Sequence, residues 1–207
     1  MKIAIAEALL KSHSYVKYRS IVTDLLGRGH ASGREQSEAL VHYTELNEAR
    51  MNRLDKKMVI AEEHTRKLLS LAKPYTWLVL SEGWCGDAAQ ILPVLNKMAL
   101  VTKNIDLRIV FRDENDALMS QFLTNGARSI PKLVIVEPET GNVLGHWGPR
   151  PKPAADLITS YKQQYGAIDE TAKTELQLWY LHDKGLTTQA EIVDMMAEQE
   201  QLMYAKR

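Results

Sequence analysis

Apolar side chains recur at the three- and four-residue spacing of amphipathic helices throughout residues 1–73. One apolar face precedes Gly27, which is placed to end a helix, and a second face surrounds the polar residue Asn47. A further helix is predicted over residues 62–72, with Pro74 just beyond its end. The pattern therefore predicts a helical extension in front of the fold that the middle of the chain forms.

The middle of the chain alternates between short apolar runs, which are typical of buried strands, and helical patterns. We predict strands over residues 76–80, 106–111, 132–136 and 143–147. One helix is predicted between the first two strands, and another after the second strand, over residues 118–123, closed by Asn125 and Gly126. The last two strands flank a turn over residues 138–142 and are expected to form a hairpin. This alternation predicts an α/β sandwich.

Beyond residues 148–151 the chain returns to helical patterns, one of which carries Leu176, Trp179 and Tyr180 on one face. No internal repeat and no flexible Gly/Ser-rich linker divides the sequence. We therefore expect an N-terminal helical extension over residues 1–73, a central α/β domain over 74–165 and a C-terminal helical extension over 166–207.

The net charge and the length of the apolar runs argue against nucleic acid and membranes as partners. The 207 residues carry 26 basic and 26 acidic side chains, and this zero balance argues against nucleic acid, whose binding needs clustered positive charge. No apolar run approaches the roughly 18 residues that a membrane span needs. Glu7 interrupts the mildly apolar N-terminus, which makes it a poor signal peptide. We expect a cytoplasmic protein with no membrane partner. The sequence makes no prediction of the oligomeric state.

Cys85 is the single cysteine of the chain. One cysteine excludes an intrachain disulfide and any multi-cysteine metal site built from this chain alone, and it fits a reducing compartment. The six histidines show no metal-ligand spacing, so we expect no metal and no cofactor.

The candidate chemistry lies in the run Trp84-Cys85-Gly86-Asp87-Ala88, which follows a predicted strand and opens a predicted helix. At the start of a helix, unpaired backbone N–H groups and the helix dipole favour a thiolate over a thiol. Asp87 lies in the same turn and opposes this effect, unless it caps the helix or relays a proton. The sequence leaves the sign of the net pKa shift at Cys85 open.

Several of these features together resemble the thioredoxin family. Trp84-Cys85-Gly86, Pro93 eight residues beyond the cysteine, Ile130-Pro131 before the third strand and Gly148 after the hairpin match its motifs over residues 74–165. The resemblance implies a thioredoxin-like α/β/α sandwich with a mixed central sheet. It also implies that Pro131 is cis, and that Ile130 and Pro131 pack against the catalytic Cys85 and offer their backbone to an extended substrate. Trp84, Gly86 and Asp87 would complete the substrate-binding surface.

The departures from the family pattern exclude ordinary dithiol activity. Ala88 stands where thioredoxins have the second cysteine, which resolves the mixed disulfide. Val79 stands where they have a buried acid, and Ile109 matches the lysine that faces that acid. Asp87 replaces a proline and brings a charge into a surface that is apolar in the family.

Three hypotheses for function remain. Cys85 could exchange with a protein or small-molecule disulfide and be released by an external thiol. Alternatively, the chain could be a non-catalytic binding module that keeps the substrate groove, or a redox sensor that forms a sulfenic acid at Cys85.

Two polar residues outside the motif each have two interpretations. Asn47 either ties down a loop or points at the active site, and the first is favoured because buried polar groups are generally hydrogen-bonded. Arg128 either binds an acidic substrate or is a solvated loop cation, and the second is favoured.

Overall fold

A run of apolar residues makes strand β1 (Tyr75–Ser81) buried along its whole length. Three further strands follow it: β2 (Ile105–Phe111), β3 (Lys132–Val136) and β4 (Val143–Trp147). In this computed structural model, which describes residues 1–205, they pair in the order β2-β1-β3-β4. The β1–β2 pair is parallel, and the β1–β3 and β3–β4 pairs are antiparallel. The predicted mixed sheet and the predicted hairpin are therefore confirmed.

Helices flank this sheet, and the described part of the chain holds nine α-helices. They are α1 (Lys2–Leu10), α2 (Tyr15–Gly27), α3 (Glu38–Lys57), α4 (Glu62–Leu69), α5 (Gly86–Ala99), α6 (Asp116–Met119), α7 (Lys152–Tyr165), α8 (Glu170–Asp183) and α9 (Leu186–Ala205). None of these helices is long and apolar enough to cross a membrane. The architecture is the thioredoxin-like α/β arrangement that the motifs imply.

The helix boundaries follow ordinary capping chemistry. The side chains of Ser14, Ser37 and Asp169 accept hydrogen bonds from backbone amides in the first turns of α2, α3 and α8. Helix α2 ends at Gly27, as predicted, and α7 is capped by Gly166 in the left-handed conformation that glycine adopts without strain.

The two helical extensions share one core with the sheet. Helix α3 packs against α5, and α9 packs against both α5 and β4. Tyr18 of α2, Met51 of α3 and Ile192 of α9 belong to the same buried cluster as Trp77 of β1. The division of the chain at residues 73 and 165 stays a prediction, but apolar packing joins all three regions.

Two predicted helices extend too far. Helix α4 ends at Leu69, short of the predicted residue 72. The apolar pattern over residues 118–123 predicted a helix there, but α6 ends at Met119. Phe122 lies beyond the helix and is nevertheless buried. Two backbone hydrogen bonds between Thr124 and Ala127 close the turn that follows it. Burial of a side chain by a turn produces the same apolar spacing as burial by a helix.

Candidate functional site

Cys85 lies just before the first residue of α5, Gly86, and its side chain is only 8% exposed. Its thiol donates a hydrogen bond to the carbonyl oxygen of Ile130, with a distance of 3.3 Å from Sγ to oxygen. The Ile130–Pro131 peptide bond is cis, and both of these residues are buried. The cysteine and the backbone segment before β3 therefore meet, as the resemblance implies.

The thiol of Cys85 is held in its neutral form. Burial raises its pKa to about 12, and the negative charge of Asp87 acts in the same direction. The backbone amides of Ala88 and Asp87 and the charge of Arg150 lower the pKa, but by less. Burial thus decides the sign that the sequence left open.

Asp87 is buried in the first turn of α5, where two partners hold its carboxylate. Oδ2 lies 2.7 Å from a guanidinium nitrogen of Arg150, and Oδ1 accepts a 2.8 Å hydrogen bond from the hydroxyl of Tyr180. Burial raises the pKa of Asp87, while the charge of Arg150 and the bond from Tyr180 lower it. Asp87 therefore joins α5 to distant parts of the chain, and it does not cap the helix.

Helix α8 covers the start of α5. The side chain of Gln177 accepts a 2.7 Å hydrogen bond from Gln90, one turn beyond the cysteine. A Cβ added at Gly86 would lie 3.6 Å from Nε2 of the same glutamine. Together with Tyr180, these contacts place the C-terminal extension over two of the predicted substrate-binding residues, Gly86 and Asp87.

Trp84 is half-buried and is held by the loop between α2 and α3. Its indole Nε1 donates a 3.0 Å hydrogen bond to the carbonyl oxygen of Ser32. The guanidinium of Arg112 lies 4.9 Å from the centre of the indole ring, within the range of a cation–π interaction. The orientation of Trp84 beside Cys85 therefore depends on the N-terminal extension.

The loop before Cys85 is fixed by two further side chains of that extension. The amide of Asn47 donates a 2.9 Å hydrogen bond to the carbonyl oxygen of Gly83, and Ser32 Oγ accepts a 2.8 Å bond from the backbone N–H of Gly83. Asn47 is 1% exposed. Its interpretation as a residue that ties down a loop is confirmed.

Glu82 places a second buried carboxyl group near the site, directly after β1. It accepts hydrogen bonds from the hydroxyl of Ser32 and, at 3.0 Å, from the backbone N–H of Asp113. Burial raises the pKa of Glu82, although both of these bonds lower it. The carboxyl group therefore links the N-terminal extension to the turn after β2.

The positions that depart from the family pattern are apolar in the structure. Val79 and Ile109 are paired residues of the β1–β2 ladder, and both are fully buried. Ala88 is 1% exposed, so an apolar methyl group occupies the place of a resolving thiol. Within residues 1–205, no cluster of three or more histidine, cysteine, aspartate or glutamate side chains could hold a metal ion.

Sequence reasoning missed Tyr180, Arg150 and Glu82. Tyr180 was assigned to an apolar helix face, and nothing in the local sequence indicates its bond to a residue 93 positions earlier. Glu82 carried no signal either, since charged side chains are seldom fully buried and the sequence alone does not indicate that this one is 0% exposed. Arg128 forms an exposed ion pair with Asp116 at 2.5 Å, which agrees with its interpretation as a loop cation.

A thioredoxin family model matches residues 33–162, which is more than half of the chain. The chain therefore belongs to this thioredoxin family. The match begins before α3, so it includes helices that the motif resemblance over residues 74–165 left out.

Two solved structures are similar in fold. One is a protein of unknown function from Pseudomonas aeruginosa, with a TM-score of 0.59 and 18% identity over 90% of this chain and 98% of that one. The other is an HIV epitope scaffold, with a TM-score of 0.56 and 20% identity over 90% of this chain and 99% of that one. At such identities the likeness concerns the fold alone. No curated protein matches the sequence.

Proposed function

We propose that this thioredoxin-family protein exchanges thiols and disulfides through Cys85, with the resolving thiol supplied by another molecule. The observation that carries the proposal is the contact between Sγ of Cys85, at the start of α5, and the carbonyl oxygen of Ile130. Ile130 is joined to Pro131 by a cis peptide bond. An extended substrate bound along that backbone would present a disulfide to the sulfur. Trp84, Gly86 and Asp87 would border the same substrate.

The reaction has two exchange steps. The Cys85 thiol first loses its proton, and the thiolate attacks one sulfur of a substrate disulfide. The substrate S–S bond breaks, a mixed disulfide forms at Cys85, and the other substrate sulfur leaves as a thiolate. A second thiol, from a small molecule or a protein, then attacks the mixed disulfide and releases Cys85. Ala88 cannot perform this second step.

The proposal requires the site to open. The thiol is buried and its pKa is about 12, so almost none of it is ionised at neutral pH. The side chains of Gln177 and Tyr180 cover the site from α8. Displacement of α8 by a substrate would uncover Gly86 and Asp87, next to Cys85, and so bring water closer to the thiol.

A specific observation favours a second candidate function, a non-catalytic binding module. The raised pKa of Cys85 is the opposite of the shift that activates a nucleophilic cysteine. In this alternative the groove beside Pro131 binds an extended segment, and Cys85 is a buried structural residue.

Incubation of the full chain with hydroxyethyl disulfide, followed by intact-mass measurement, separates the two candidates. We expect a mixed disulfide at Cys85 that reduced glutathione removes, and none in Cys85→Ser. Adduct formation should accelerate as the pH rises towards the pKa of the thiol. If no adduct forms in the folded protein at any pH, the exchange proposal is wrong and the binding module is the better account.

A further inference from the structure

A pocket of about 510 Å³ lies between the end of α3, the segment that follows it, and the corner between α8 and α9. This volume is within the range of roughly 300–1,000 Å³ that is common for small-molecule sites. Its walls come from residues 53–61 and 180–186, two distant parts of the chain, so the pocket exists only in the folded protein. The proposed exchange reaction assigns it no ligand.

The wall of this pocket is mainly apolar. Leu54, Met58, Val59, Leu181 and Leu186 contribute to it. Val59 is 76% exposed, and Leu181 and Leu186 are each 49% exposed, so three large aliphatic side chains face solvent in one place. A contiguous exposed apolar surface of this kind is typical of a binding site.

Ala61 and Tyr180 also line the pocket, and the remaining lining residues are three cations, Arg53, Lys57 and Lys184. No acidic side chain lines the pocket, and none of the three cations forms an ion pair in the described part of the chain. Lysines elsewhere on the surface do form ion pairs, as Lys152 does with Asp156 and Lys173 with Glu170. The positive charge around the pocket is therefore not neutralised by the protein itself.

The position of Lys57 and Lys184 at helix ends explains why two of the three cations are there, but not the third, Arg53. Cations near a helix C-terminus offset the helix dipole, and Lys57 ends α3 while Lys184 caps α8. Arg53 lies a full turn before the end of α3, and its charge lowers the pKa of the neighbouring Arg50, although burial is the larger cause of that shift. An anion in the pocket would relieve this repulsion.

We propose that this pocket binds an amphipathic monoanion, a medium-chain carboxylate whose apolar chain lies against the aliphatic wall and whose carboxylate contacts Arg53, Lys57 and Lys184. The combination of an apolar wall with unpaired cations selects for both halves of such a ligand. A purely apolar molecule leaves the cations without a partner, and a short carboxylate leaves the aliphatic wall in water. Binding at this site involves no step at Cys85.

Isothermal titration calorimetry of the full chain with decanoate, below its micelle concentration, tests the proposal. We expect saturable binding of one decanoate, with decanol bound at least several-fold more weakly and acetate not bound. Affinity should rise about fourfold for each added methylene from hexanoate to decanoate, as expected for a methylene that leaves water. Decanol binding as tightly as decanoate would overturn the role of the cations.

Charge variants locate the site. Arg53→Gln combined with Lys57→Gln should weaken decanoate binding about tenfold and leave decanol binding unchanged, with the loss corresponding to about 1.4 kcal/mol. Lys152→Gln combined with Lys173→Gln is the matched control and should leave both ligands unaffected. If the first double variant does not fold, Lys184→Gln alone provides the same test. Equal decanoate affinity in the pocket variant and the control would place binding elsewhere.

Two further results would also contradict the proposal. If the free chain is a dimer that Leu181→Asp dissociates, a second copy covers the aliphatic wall and no small ligand is required. If anionic vesicles bind the chain while monomeric decanoate does not, the surface recognises a lipid bilayer. Binding of decanoate to Cys85→Ser with unchanged affinity would support the proposal and show that it stands whether or not Cys85 exchanges disulfides.

Discussion

The hydroxyl of Tyr180 donates a 2.8 Å hydrogen bond to Oδ1 of Asp87 and so joins helix α8 to the first turn of α5, two residues beyond Cys85. Arg150 holds the other oxygen of the same carboxylate at 2.7 Å. The electrostatic surroundings of the thiol therefore depend on the C-terminal extension and on the segment after β4, as well as on the thioredoxin motif itself.

Removal of the Tyr180 hydroxyl should destabilise the protein. Tyr180→Phe leaves a buried carboxylate with one partner fewer, and a hydrogen bond to a charged group contributes roughly 1.5–3 kcal/mol. Urea unfolding measures the loss. In Asp87→Asn the partner carboxylate is already absent, so the additional loss from Tyr180→Phe should be smaller in that background. Additive losses would mean that the two side chains do not interact.

Neutralisation of Asp87 should lower the pKa of Cys85. The charge of Asp87 is the second cause of the raised pKa, after burial, and Arg150 remains in Asp87→Asn to favour the thiolate. The pKa should stay above the free value of about 8.5, because burial persists. The pH dependence of alkylation by iodoacetamide reports the value. An unchanged or higher pKa in the variant would show that Asp87 does not act on the thiol.

Glu82 should make stability fall as the pH rises. Its pKa in the folded state is raised by burial, so its contribution is complete below the unfolded value of about 4.3 and is lost as the pH rises through the folded value. Glu82→Gln is neutral at every pH and should escape this loss. Urea unfolding from acid to neutral pH should show the stability of the wild type decreasing relative to this variant.

Glu137 supplies a control of opposite sign for that measurement. The hydrogen bond from Thr140 lowers the pKa of Glu137, so the wild type should gain stability relative to Glu137→Gln as the pH rises. Parallel slopes for the Glu82 and Glu137 variants would contradict the assignment of Glu82 as a carboxyl group with a raised pKa.

Gly148→Ala should disturb the cis-proline segment. Gly148 has φ +109°, and an added Cβ would lie 2.3 Å from the carbonyl oxygen of Pro131, so backbone must move. We expect a loss of about 2–4 kcal/mol from strain and overlap together. Gly141→Ala has a positive φ but no atom within 4 Å of the new Cβ, and should cost only about 1–2 kcal/mol. Equal losses would mean that the contact with Pro131 relaxes freely.

Local chemistry was sufficient to predict the sheet and the position of the cysteine. The contact of Cys85 with the Ile130–Pro131 segment was implied by the resemblance to the thioredoxin family. The apolar runs identify the four described strands, and the motif from Trp84 to Ala88 places Cys85 at the start of a helix. These features depend on residues close together in sequence. The packing of the extensions onto α5 depends on contacts between distant segments, which no periodicity encodes.

The same distinction explains why the state of the thiol could not be predicted. The start of a helix favours a thiolate, and the sequence is sufficient to predict that a helix starts at Cys85. Burial of Cys85 opposes the thiolate more strongly, and it depends on the folded chain, in which Tyr180 and Gln177, about 90 residues away, contact Asp87 and Gln90 of the same helix. Tyr180 looks like an ordinary apolar helix position until its hydroxyl is seen to reach Asp87.

The chain also supplies a matched control for Tyr180. Tyr15 is a buried tyrosine whose hydroxyl donates a 2.7 Å hydrogen bond to Asp55, and Arg19 pairs with that aspartate. It repeats the Tyr–Asp–Arg arrangement between α2 and α3, away from α5. The Tyr15 hydroxyl also accepts a 3.2 Å hydrogen bond from Arg19, so Tyr15→Phe removes a tyrosine hydroxyl that is bonded at least as well as that of Tyr180, at a site away from Cys85.

The most direct test of the central claim is the rate at which hydroxyethyl disulfide forms a mixed disulfide with Cys85 at neutral pH, measured by intact mass in Tyr180→Phe and Tyr15→Phe. If α8 covers an exchange-competent thiol, Tyr180→Phe should react several-fold faster than the wild type, and Tyr15→Phe should react at the wild-type rate. Equal rates in the two variants, or no adduct in either while both remain folded, would contradict the account.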